Sequence, residues 1–141
     1  MQTNLGVSLL RANAVYLLVA SVGGFLTDVL GAFFAVGPVG RVTGSAPYSA
    51  IGFVEAHGLA FILGVLLWKA KSMRSWHLTA AGVHVLLGTA NLVFWPIFLA
   101  AQILPVGYIT TWLHWLFAGL QLFAAVYVNV RAHSDPLSAA A

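Results

Sequence analysis

The stretch NAVYLLVASVGGFLTDVLGAFFAV, residues 13–36, holds a single charged side chain, Asp28. Few folds accept such a run. A helix crossing a hydrocarbon core of ~30 Å needs about 20 mostly apolar residues, because lipid offers the backbone no hydrogen-bond partner. Residues 49–68, 76–98 and 106–130 have the same character, the last carrying WLHWLFAGLQLFAAVYVNV. Only 6% of the chain is charged, where a soluble domain carries about 25%. Such a small number of charges cannot cover a water-facing surface, so lipid must be the medium for most of the chain.

The connections agree. GPVGRVTGSAPY, between the first and second segments, is rich in loop formers, and KAKSMRS separates the second from the third. The third connection, LAAQILPVG, is apolar, so Pro96 and Pro105 rather than charge define that turn. The expected fold is therefore all-α: one integral membrane domain over residues 1–141, a four-helix bundle running up-down-up-down, with residues 131–141 as a flexible tail. The spacing of residues reveals no internal repeat.

Charge sets the orientation. With four spans, the termini and the second loop share a side, which holds Arg11, Lys69, Lys71, Arg74 and Arg131; the other side holds only Arg41. Basic residues collect on the cytoplasmic side, so both termini are expected there, in a multi-pass cell-membrane protein. Trp68, Trp76, Trp95 and Trp112 fall at span ends, where interfacial aromatics belong. The net charge of +3 is too small and scattered for nucleic acid, and the lack of cysteine removes disulfides, thiolate metal sites and thiol nucleophiles.

The polar residues inside the spans then carry the functional question. At 1.5 Å per residue, Glu55 and His57 lie about 10 Å below the outer face, with His114 at a similar depth and Asp28 and Asn91 in the outer halves of their spans. These residues are expected to converge in one outer layer, with His84 apart on the cytoplasmic side. His77, His84 and Asn91 recur every seven residues and form one stripe, as do His114 and Gln121. Glu55 and His57 stand about 200° apart on their helix, so one of them faces a neighbouring helix or another subunit.

Four readings of that layer stay open. His57 and His114 could be axial ligands of a b-type haem, with Asn91, Phe61, Trp112 and Trp115 around the ligand and nearby glycines giving a flat molecule room. Glu55 could be the general acid of an isomerase or cyclase acting on a lipid-soluble, isoprenoid-like substrate, with His57 and Asp28 assisting. Asp28, Glu55, His84 and His114 could form the relay of a proton-coupled transporter. The polar groups could instead lock the packing of a non-catalytic subunit, in a homo-oligomer or a larger membrane complex. In layout alone, LLRANAVYLL followed by four compact spans resembles small bacterial four-helix membrane proteins of the DoxX-like kind. That likeness implies a bacterial inner-membrane setting and carries over no functional residue.

Overall fold

A computed structural model describes residues 4–44 and 47–134. Among them the chain is helical throughout: α1 (Asn4–Phe34), α2 (Gly37–Thr43), a 3-10 turn (Pro47–Ser49), α3 (Ala50–Lys69), α4 (Arg74–Val93), α5 (Trp95–Ala100) and α6 (Leu104–Ser134). Three helices are long and apolar enough to cross a membrane, over Leu5–Phe34, Ala50–Lys69 and Leu104–Val130. α4 equals α3 in length at 20 residues but is diluted by Arg74, His77, His84 and Asn91. It does not qualify by composition. The first four residues of the expected tail continue α6, and residues 135–141 lie outside the described residues.

Prolines set the helix starts. Pro38, Pro96 and Pro105 each occupy the second position of a helix, where a missing N–H leaves no bond unmade. For that reason the third apolar segment is not one helix over 76–98. α4 ends at Val93 and a separate α5 begins at Trp95. Left-handed residues turn the chain beside the short helices: Ala35 at φ 53° before α2, Gly37 at 73° as its first residue, and Gln102 at 57° after α5.

The two halves share a plan that the residue spacing hides. Each is a long helix, a short helix and a second long helix, and within each half the long helices pack together, α1 on α3 and α4 on α6. Both pairs are antiparallel. Moving up α1, Ala14 and Leu18 face Gly64 and then Gly24 faces His57; moving up α4, His77, His84 and Asn91 meet Gln121, His114 and Thr110 in turn. What repeats is the architecture, since the paired residues differ between the halves.

Small and polar residues fill the interior. Leu10, Ala14, Leu17, Leu67, Ala70 and Ala80 make a buried cluster, while Val19, Phe33, Leu59 and Val126 stand mostly exposed on the outside. Burying small and polar groups while exposing bulky apolar ones suits a lipid surround, where close backbone approach drives helix association. At one end Arg11 lies over the Trp68 ring, 4.9 Å from its centroid. At the other, Arg41 of α2 donates to the Ala101 carbonyl and to Gln102 Oε1, both at 3.0 Å. The one basic residue opposite the rest thus ties α2 to the end of α5.

α2 can fold back on α1 only because glycines face each other there. A Cβ on Gly40 would stand 2.4 Å from the Ala35 carbonyl carbon, and one on Gly31 would stand 2.6 Å from the Gly40 nitrogen. Backbone cannot yield as a side chain can. Gly40→Ala should therefore destabilise the protein by about 1–3 kcal/mol. Gly82→Ala, where an added Cβ meets nothing within 4 Å, should stabilise it by about 0.5–1 kcal/mol through helix propensity. Thermal unfolding in detergent measures both.

Candidate functional site

Polar side chains of α1, α4 and α6 pair in successive rungs. In the lowest rung the Ser72 hydroxyl lies 3.1 Å from His77 Nε2, and His77 Nδ1 lies 2.6 Å from Gln121 Oε1. An amide oxygen can only accept, so Nδ1 carries the proton and Nε2 accepts from Ser72. Gln121 Nε2 in turn donates to the Leu9 carbonyl at 3.1 Å. Every bond in this rung runs one way, from the α3–α4 turn to α1.

The next rung is built on two histidines. His84 Nδ1 and His114 Nδ1 are 2.9 Å apart and buried. The Asn13 amide nitrogen bonds His84 Nε2, and since that nitrogen has no lone pair to offer, Nε2 must accept. His84 is then a neutral imidazole protonated at Nδ1, which donates to His114, leaving His114 with its proton on Nε2. Tyr16 and Phe117 pack beside the pair, with Tyr16 5.7 Å from the His114 ring and Phe117 5.3 Å from the His84 ring. His114 is ten residues into α6, about 15 Å along the helix.

Nearer the α2 end, Asp28 and His57 form a pair between α1 and α3. His57 Nδ1 donates to Asp28 Oδ2 at 2.6 Å; the carboxylate is 1% exposed and the imidazole 35%. The ring lies flat on α1 because residue 24 is glycine: a Cβ there would be 2.2 Å from His57 Nε2. Across the bundle Asn91 Nδ2 donates to Thr110 Oγ1 at 3.2 Å.

These contacts correct the expected layer in three ways. His84 is not apart from His114 but bonded to it, because α5 lengthens the connection and shifts α6 along α4. His57 and His114 do not share a level. Against α1 they lie at Gly24 and Tyr16 respectively, a separation of about 12 Å. The two imidazoles are not brought together: His57 is bonded to Asp28 and His114 to His84. Glu55 is exposed on the outer face of α3 and makes no hydrogen bond or ion pair among the described residues; the imidazole expected beside it is held by Asp28. No group of three or more His, Asp or Glu residues suited to a metal occurs among the described residues.

Trp112 and Trp115 do come together. With Leu92, Trp95, Tyr108 and Thr111 they line an open groove of about 470 Å³ where α4, α5 and α6 meet. Trp115 reaches it across Gly88, where a Cβ would stand 3.1 Å from the indole nitrogen. Phe61 is exposed on α3 and does not line this groove. The Thr111 hydroxyl is buried at its wall without a hydrogen-bond partner among the described residues. Tyr16, Thr110, Thr111 and Ser72 were not singled out from sequence; the only signal was the adjacent threonines of ITTW opposite Asn91.

Compared with protein-family models, with curated proteins and with solved structures, the chain matches none. Its function must be argued from its own geometry.

Because His84 and His114 satisfy each other, removing either strands the other. His84→Ala and His114→Ala should each lower the unfolding temperature, and the double variant should lose about 1 kcal/mol less than the sum. Gln121→Leu strands both His77 and the Leu9 carbonyl and should cost about 1–3 kcal/mol.

Proposed function

We propose that the chain is a multi-pass membrane protein that takes a flat, largely apolar, membrane-dissolved molecule into the aromatic groove, anchoring its polar group on Thr111. α1, α3, α4 and α6 are the four spans, running up-down-up-down with both termini in the cytoplasm. Side-chain pairing supports α4 as a span: the polar groups of His77, His84 and Asn91 are met by Ser72, Gln121, Asn13, His114 and Thr110. Lipid would then not meet the residues that lower its apolar character. The basic residues Arg11, Lys69, Lys71 and Arg74 support the orientation.

One observation carries the ligand reading: Thr111, whose buried hydroxyl has no partner among the described residues, lines the groove beside the rings of Trp95, Tyr108, Trp112 and Trp115. Aromatic walls with few polar groups are the usual make-up of a small-molecule site. An unmatched buried hydroxyl is destabilising until a ligand group meets it. The fitting class is a planar ring bearing one carbonyl or hydroxyl, such as a quinone headgroup.

A second reading has the Asp28–His57 pair behind it. A buried carboxylate that orients a half-exposed imidazole can hold and pass a proton, so acid–base work on a lipid-soluble substrate would centre there rather than on Glu55.

The groove is tested by titrating a short-chain quinone into proteoliposomes and following tryptophan fluorescence. Saturable quenching is expected. Thr111→Val should weaken binding about three- to tenfold, the worth of one hydrogen bond, and Trp112→Ala should weaken it further. Quenching that does not saturate, or that neither substitution changes, would refute the groove as the site.

A further inference from the structure

Glu55 is the unanswered residue of the membrane interior. Within the three apolar spans, Arg11 is half-buried and lies over Trp68, Asp28 is buried against His57, and Lys69 is the last residue of α3. Among the described residues Glu55 is the one Asp, Glu, Lys or Arg that stands exposed and without a hydrogen bond or ion pair inside a span, short of its ends. It lies five residues into α3, about 8 Å from the helix start. No described residue pairs with it there, and a lone carboxyl facing hydrocarbon is unfavourable in either protonation state.

The surface around it is patterned. Gly52, Glu55, Leu59, Ile62 and Leu66 are all exposed, and their spacing alternates between three and four residues. That is the seam of a left-handed helix pair. A Cβ on Gly52 would meet nothing within 4 Å, so the seam begins at a point open to a close neighbour. We infer that this face of α3 is the contact with a second copy of the chain, closed by a hydrogen-bonded pair of Glu55 carboxyls. It rests on the reading of α3 as a span.

Membrane geometry favours a second copy over an unrelated helix. Two copies inserted the same way share an orientation, so their twofold axis lies along the bilayer normal. α3 then runs parallel to its counterpart, each seam residue meets its own equivalent, and Glu55 meets Glu55 at one depth. Two carboxyls so placed can share a proton, each completing the other's hydrogen bonding. A single polar residue in an otherwise apolar seam also fixes register and the number of strands.

The chain has no cysteine, so single cysteines report proximity directly. Oxidative cross-linking in native membranes should join Leu59→Cys, Ile62→Cys or Leu66→Cys chains into dimers. It should leave Leu116→Cys and Val126→Cys, exposed on α6, as monomers. In lipid dilution followed by energy transfer, Glu55→Gln should keep the dimer and Glu55→Ala should raise its dissociation constant about tenfold. Helix content and unfolding of the Glu55→Ala monomer should not change, since Glu55 is exposed and makes no hydrogen bond or ion pair among the described residues. Equal cross-linking through α6, a protein monomeric at every dilution, or a Glu55→Ala dimer as tight as the original would each overturn the interface. Resistance to carbonate extraction checks the span reading separately: a protein released by carbonate overturns both, and a retained monomer overturns only the interface.

Discussion

The hydrogen bond between His84 and His114 is the constraint on which the other helix contacts depend. His84 is bonded on both sides, at one nitrogen to Asn13 and at the other to His114, so the pair is held between α1, α4 and α6. The bond fixes two tautomers, the register of α4 on α6, and the place of α1 above both. Once it is set, a step of seven residues along each helix brings His77 to Gln121, and in the other direction Asn91 meets Thr110, seven residues from His84 but four from His114. In lipid such bonds are individually modest, about 0.6–2 kcal/mol. Their larger effect is on specificity. A shift of one turn would break three contacts together and leave their polar atoms among acyl chains.

α1 is needed by both halves. It contributes Asp28 to the pair with α3, Asn13 to the histidine pair and the Leu9 carbonyl to Gln121. Glycine and alanine along its length let it lie close to both sides, as at Gly24 under His57 and Ala14 beside Gly64. A bulkier α1 would hold the halves apart and open the polar rungs. The short helices act at the opposite end, where Arg41 joins α2 to the end of α5. The protein is thus tied both by polar rungs along its length and by an arginine at its mouth.

Much of this was legible in the sequence, and the limits have physical causes. Long apolar runs announce helices, and the seven-residue recurrence of His77, His84 and Asn91 correctly puts them on one face. Recurrence gives the face but not the register. Depth counted from assumed span ends placed His114 beside His57, because α5 was counted as part of a span rather than as connection. The angle between Glu55 and His57 meant that one had to face away. Only the buried Asp28 decides which, and its reach to His57 depends on the packing of α1 against α3. For Thr111 the paired threonines of ITTW are a weak signal, since threonine is common in apolar helices and its environment is set by three separate elements.

Thr111 is informative because a helical hydroxyl has an easy alternative. It can bond the carbonyl one turn back in its own helix, and so remain satisfied in any surroundings. Among the buried hydroxyl residues, Ser21 does so to Leu17 at 2.5 Å and Thr43 to Val39 at 2.9 Å. Thr110, adjacent to Thr111, does so to Val106 at 2.8 Å. Thr111 forgoes the alternative although it too is buried. Thr111 shares the wall of the groove with the indoles of Trp112 and Trp115 on the same helix. Those rings line the groove, with Trp115 lying against Gly88 of α4. The unmet hydroxyl and the uncovered aromatic surface therefore share one cause, a gap where α4 stops at Val93 and α5 turns aside at Pro96.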